Sequence, residues 1–254
     1  MRIAVMGAGS IGGYFGGKLS QGGNEVTLIA RGAHLDAIRS RGLKIITDDS
    51  EFIVECKATD DPGQVGPVDL VLLTVKTYHN QEAVPAMLPM IGSNTTVLCL
   101  QNGIDSFEAA ARFHGGEKVL PGAAYIDGSL KGPGVVRQIG NDVEIVFGEP
   151  DGAESPRCEA ISATFRKAGI SANLSNNIQR TLWTKFLYIA TTAGVMSLSR
   201  QTMDHLLPLP EWRRVIMGCM EEINTVGLAS GVDLDQNIVQ DTIEYIEGAL
   251  DEMH

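Results

Sequence analysis

Apolar and polar positions divide the chain into three stretches. Up to about residue 100, short apolar runs alternate with helical patterns; residues 118–148 carry strand patterns among glycines; from residue 155 onward apolar positions recur at helical spacing. The run "RIAVM" (Arg2 to Met6) reads as a buried strand, and "EVTLIA" (Glu25 to Ala30) as a second one after a helix from Ile11 to Gln21, a β-α-β unit. A helix near His34 to Arg41 precedes "LKIIT" and "FIVECKA", two strands about the polar turn Asp48 to Glu51, which predicts a hairpin. The unalternating strands "VDLVLLTV" (Val68 to Val75) and "TTVLCL" (Thr95 to Leu100) belong to a parallel sheet covered on both faces. Between them Glu82 to Ile91 reads as a helix with Pro85 in its first turn, and Asp105 to Phe113 as another. The strands in Lys118 to Gly148 look antiparallel.

Helices are expected over Pro156 to Ala168, Gln179 to Leu198, Glu211 to Ser230, and from Gln236 to the end. The whole is an α/β chain: a doubly wound sheet with added antiparallel strands in residues 1–175, then an all-helical domain in residues 176–254. The last helix places Ile238, Val239, Ile243, Ile246, Leu250 and Met253 on one face and stops at His254 without a glycine cap or basic last turn, so the helical domain reads as cut. A second copy could cover the apolar surface a cut would expose, which makes a homodimer one expectation.

Composition narrows function by exclusion. With 20 Lys and Arg against 31 Asp and Glu, the formal net charge of −11 argues against a nucleic-acid or anionic membrane partner. Any anionic ligand must then be held by local cations and backbone N–H dipoles. Cys56, Cys99, Cys158 and Cys219 form no C-x-x-C pair, and His34, His79, His114, His205 and His254 have no ligand spacing, so no metal is expected. No secretory signal or bilayer-length apolar run is visible, which predicts a cytoplasmic protein.

The candidate chemistry starts at "GAGSIG" (Gly7, Ala8, Gly9, Ser10, Ile11, Gly12), a G-x-G-x-x-G directly after a strand and opening a helix. The glycines allow a tight turn and close backbone approach, and the helix N-terminus offers N–H groups to a pyrophosphate. After the second strand an NAD site would carry Asp or Glu for the ribose hydroxyls; this chain has Ala30 and then Arg31, which favours the 2′-phosphate of NADP(H). Ligands of such sheets sit beyond the carboxyl ends of the strands, which singles out Lys76 after "LLTV" for cofactor or substrate, and Asn102 in "LQNG". Asn-Gly is foremost a turn dipeptide, but the Asn102 amide can both donate and accept, as contact with a nicotinamide and a substrate carbonyl requires. In "TLWTKFLYIATTAG" Lys185 is the one charge inside an otherwise apolar run, where it either snorkels to water or serves a site.

Taken in order, "GAGSIGGYFGGKL", "LIAR", "LLTVKTY", "LQNG", "GPGVV" and "NNIQRTLWTKFL" resemble the ketopantoate reductase (2-dehydropantoate 2-reductase, PanE/ApbA) family over the whole chain. The resemblance implies an N-terminal Rossmann domain, a helical C-terminal domain, and NADPH-dependent reduction of 2-dehydropantoate, a small 2-oxoacid, to pantoate. It assigns Lys185 as the catalytic lysine, Asn102 and Lys76 as the residues near the nicotinamide, and Arg31 as the 2′-phosphate ligand. Hydride arrival at a ketone carbon builds negative charge on its oxygen, which an ammonium stabilises and then protonates. The family's asparagines four and eight residues after the lysine are Ile189 and Ala193 in this chain, which cannot hydrogen-bond a substrate hydroxyl. Thr191, Thr192 and Ser197 are the nearby polar alternatives, and the family's substrate-holding serine and glutamate fall after His254. Three readings stay open: a ketopantoate reductase, a reductase of another 2-oxo or 3-oxo acid, and an NADP-binding protein or fragment without turnover.

Overall fold

The computed structural model of the chain describes residues 1–251, and positions 141 and 251 by their backbone alone. The stop of the last helix at His254, with Met253, lies outside them. The chain folds as two compact units, Met1–Ile178 and one that begins at Gln179.

In the first unit Arg2–Met6 forms β1, buried from Ile3 onward, Ser10–Gln21 forms α1, Glu25–Ile29 β2 and Gly32–Arg41 α2. β1 pairs β2 in parallel from Arg2↔Glu25 to Met6↔Ile29. Leu43–Ile46 (β3) and Glu51–Val54 (β4) make the expected antiparallel hairpin. "FIVECKA" is not one strand: after Glu55 and Cys56 the chain starts β5 (Lys57–Thr59), which pairs in parallel with β2. Two different pairing partners compete for one apolar run, and periodicity cannot see either.

Val68–Leu73 is β6. The helix expected over Glu82–Ile91 is α3, Asn80–Ala86, and Pro85 lies near its end rather than in its first turn. Pro85 cannot donate back to Gln81, and Pro89 disfavours helical backbone at Leu88, so a 3-10 turn at Leu88–Met90 follows and Ile91 already opens β7, Ile91–Cys99. Ser106–His114 is α4, Val119–Gly132 β8, Val135–Phe147 β9 and Pro156–Lys167 α5. A strand absent from the expected elements, β10 (Ser171–Leu174), pairs in parallel with β9.

The strands run β5-β2-β1-β6-β7-β8 through a parallel layer and continue β8-β9-β3-β4, with β10 on β9. β4 and β5 stand at opposite ends of this order, yet only two residues separate them, a span of about 10 Å at most. The sheet therefore curls back, and α1 lies inside the curl. Its glycines make room on both sides. A Cβ on Gly16 would stand 2.6 Å from Leu28 and 3.0 Å from Val5 of the parallel layer, whereas one on Gly13 would stand 2.9 Å from Val136 and one on Gly17 would meet Ile45 of the second layer. One core, with Phe15, Leu28, Ile45, Phe147 and Phe165, fills the space around α1; another, with Val71, Met87, Val97 and Cys99, lies under α3 and α4.

The second unit is helical: Ile178–Ser199 (α6, whose first residue belongs to the first unit), Met203–Leu206 (α7), Pro210–Ala229 (α8) and Ile238–Asp251 (α9). Trp183 of α6 packs against α8 at Gly227, where a Cβ would come 3.0 Å from the indole. The Tyr188 and Tyr245 rings meet edge to face at 5.8 Å, and Arg180 pairs with Asp233 ahead of α9. None of the described helices is long and apolar enough to cross a membrane.

Candidate active site

β1 ends at Met6, and the next residues leave the sheet at its centre, beside β6. Gly7 has φ +105°, and a Cβ there would come 2.6 Å from Val75 Cγ1, so both the backbone angle and the close approach require glycine. A Cβ on Gly12 would strike the Gly7 carbonyl and Thr74. The Thr74 hydroxyl donates to the Gly7 carbonyl at 2.8 Å and the Ala8 N–H to Ile29 at 2.9 Å, which pins the loop to β6 and β2. Gly9 differs: it is the N-cap of α1, nothing beyond its own residue, its chain neighbours and the adjoining helix backbone lies within 4 Å of where its Cβ would be, no side chain caps the helix, and no acid occupies the first turn. Ser10 and Ile11 begin the helix. An uncapped N-terminus behind a glycine facing open space fits a pyrophosphate.

Arg31 follows β2 at the N-cap of α2, with an exposed side chain 3.5 Å from Glu82 of α3. Such an exposed surface pair is worth little. Lys76, exposed, starts the 3-10 turn that follows β6. Asn102, exposed, follows β7 and precedes Gly103, whose φ is +114°. The glycine loop, Arg31, Lys76 and Asn102 thus stand at the carboxyl ends of β1, β2, β6 and β7, neighbouring strands of one layer. β1 lies between β2 and β6, the point where the strand order reverses and open sheets form their crevice.

Two residues inside the quoted motifs do not stand out in the sequence and do so in the structure. Thr74 is one. Gln101 is the other: buried, it donates to the Val75 carbonyl at 2.6 Å and exchanges hydrogen bonds with Asn80, tying the turn that carries Lys76 to the loop that carries Asn102. Their signal is a polar side chain directly after an apolar strand, where an uncompensated buried group would be costly. His34, equally inconspicuous in the sequence, bonds the Ala8 carbonyl.

Lys185 belongs to the second unit. It shares an azimuth of α6 with Leu182 and Thr192, is half-buried, and burial pushes its ammonium down from the ordinary lysine range to about 8. Ile189 and Ala193 continue that azimuth. Of the polar alternatives, Thr192 donates its one hydroxyl proton to the Tyr188 carbonyl at 2.9 Å within its own helix, Thr191 is 2% exposed, and Ser197 is exposed. Cys99 and Cys158 are buried and Cys56 and Cys219 half-buried; burial drives the Cys99 thiol up to about 12.

The central glycine loop and the strand order define a Rossmann-type dinucleotide-binding fold joined to a helical unit. The chain belongs to the ketopantoate reductase PanE/ApbA family, NADPH-using oxidoreductases: the family model matches residues 3–152 and its C-terminal companion residues 177–253. The 2-dehydropantoate 2-reductase of Pyrococcus horikoshii is 35% identical over 97% of this chain and 80% of its own. The structure of 2-dehydropantoate 2-reductase from Porphyromonas gingivalis W83 is 30% identical, with a TM-score of 0.90 over 96% of this chain and 87% of that one. A D-mandelate dehydrogenase solved with NADH and anilino(oxo)acetate is 25% identical, with a TM-score of 0.87 over 98% of this chain and 79% of that one.

Proposed function

We propose that the protein reduces 2-dehydropantoate to pantoate with NADPH. The observation that carries this reading is the Lys185 ammonium, held on an apolar helix where burial lowers it to about 8, in a chain of the ketopantoate reductase family. An amine tuned towards neutral pH gives up its proton more readily than an ordinary lysine while still carrying one at pH 7. NADPH supplies the hydride when bound. The Gly7–Gly12 backbone receives the pyrophosphate, Arg31 the 2′-phosphate and Lys76 the cofactor near the nicotinamide. Asn102 orients nicotinamide and carbonyl through its two-sided amide. Lys185 stabilises the charge that develops on the ketone oxygen and then protonates it. Lys185→Ala should lower kcat by about a thousandfold or more and leave the NADPH Kd within about threefold; turnover unchanged in that variant would remove the role.

A second reading keeps the chemistry and changes the acid. Ile189 and Ala193 give no hydrogen bond to a substrate hydroxyl, and a family-fold neighbour acts on D-mandelate, which bears an aromatic group. An apolar side chain on the 2-oxoacid would suit those positions better than the hydroxymethyl end of dehydropantoate. A panel of 2-oxoacids followed by NADPH absorbance decides. Dehydropantoate ahead by orders of magnitude in kcat/KM supports the first reading, and an aromatic or branched acid ahead supports the second.

A further inference from the structure

One contact of the glycine loop has no part in the chemistry above: the His34 ring lies between the loop and the turn of the β8–β9 hairpin. Gly134 donates its backbone N–H to His34 Nδ1 at 3.0 Å, so Nδ1 is an acceptor and the proton of the neutral ring sits on Nε2. Nε2 is 2.8 Å from the Ala8 carbonyl oxygen and donates to it. The turn itself is fixed: Gly134 has φ +71°, its Cβ would stand 2.9 Å from Ala37 of α2, its carbonyl accepts from Lys44 N–H at 2.9 Å, and Arg41 donates to the Pro133 carbonyl at 2.8 Å. The "GPGVV" segment therefore serves as a rigid stop that sets the tautomer of His34.

The peptide between Ala8 and Gly9 is planar and trans, so its N–H points away from its carbonyl. With the Ala8 carbonyl drawn to His34, the Gly9 N–H is turned the other way, away from the imidazole, and Gly9 is the N-cap of α1, with open space where its Cβ would be. We propose that His34 is a positioning residue for the dinucleotide: held by Gly134, it fixes the Ala8–Gly9 peptide so that the Gly9 N–H meets the pyrophosphate. This rests on the dinucleotide reading of the glycine loop.

Binding measurements distinguish failure of the His34 role from failure of the dinucleotide reading. NADPH, NADH and adenosine 2′-monophosphate, which lacks a pyrophosphate, are titrated into wild type, His34→Ala and His34→Gln. A glutamine amide can still donate to the Ala8 carbonyl. His34→Ala should weaken NADPH and NADH by the same factor, about tenfold, and leave the monophosphate within about twofold; His34→Gln should recover most of the loss. In the free protein, long-range ¹H–¹⁵N correlation of the imidazole should show the Nε2–H tautomer. Unchanged dinucleotide affinity in His34→Ala, an equal loss of the monophosphate, no recovery in His34→Gln, or an Nδ1–H tautomer would overturn the proposal. Wild type that binds neither dinucleotide would instead overturn the reading it rests on.

Discussion

Lys185 and Arg31 are both cations, and their surroundings assign them different tests. In the proposed role Lys185 can serve as an acid only while protonated, and burial lowers its affinity for the proton to a midpoint of about 8. Reduction should therefore be level below about pH 7, fall as pH rises through about 8, and approach a tenfold loss per pH unit beyond. A kcat profile flat to pH 10 would count against Lys185 as the proton source. The same depression has a stability side. Below about 8 the ammonium is charged in both folded and unfolded chains and its desolvation counts fully against the fold; between about 8 and the unfolded lysine value the folded chain releases the proton first and that cost fades. Arg31 is exposed and engaged by the weak pair with Glu82 at 3.5 Å, so a ligand phosphate meets it with little to displace. Arg31→Ala should weaken NADPH by roughly ten- to hundredfold and NADH by less than about threefold; equal losses for both would deny the 2′-phosphate contact.

At the scale of elements, α1 shows what periodicity conveys and what it hides. Its place after β1 and its glycine loop were legible, because a strand, a G-x-G-x-x-G and a helix fit one local geometry. The second use of its glycines was not. Gly12 and Gly16 face the parallel layer while Gly13 and Gly17 face Val136, Leu43 and Ile45, so the helix is pressed on both sides by strands that lie far apart in sequence. Gly16→Ala should destabilise the fold by about 1–3 kcal/mol, measured by urea unfolding, since its Cβ would stand 2.6 Å from Leu28 and 3.0 Å from Val5. A neutral result would mean that the layers can separate at little cost. The other departures from the expected elements share this cause. "FIVECKA" splits because β5 finds β2, and β10 forms because β9 offers an edge; both are tertiary pairings that override the local pattern. Among the site residues, the positions after strands were readable one by one, whereas Thr74, Gln101 and His34 became visible only through the carbonyls they bind.

For the whole molecule, the distribution of the core says which part carries which task. Both buried clusters described for the first unit draw only on residues up to Leu174, and every strand of the sheet lies before α6. The glycine loop, Arg31, Lys76 and Asn102 all belong to that unit, while Lys185 does not. A chain of residues 1–177 should then unfold in one cooperative transition, since a core of this size suffices for an independent domain. It should bind NADPH within about tenfold of the full chain and show no reduction of any 2-oxoacid, because Lys185, the proposed proton source, is gone. The whole chain's net charge of −11 repels an anionic cofactor, so the proposed binding rests on local groups: the glycine-loop N–H groups, Arg31 and Lys76. Binding measured by quenching of NADPH fluorescence, with and without Arg31→Ala in the shortened chain, checks this. Loss of cooperative unfolding would show that residues 1–177 do not fold alone, and loss of binding in a shortened chain that still unfolds cooperatively would show that NADPH affinity depends on residues beyond 177.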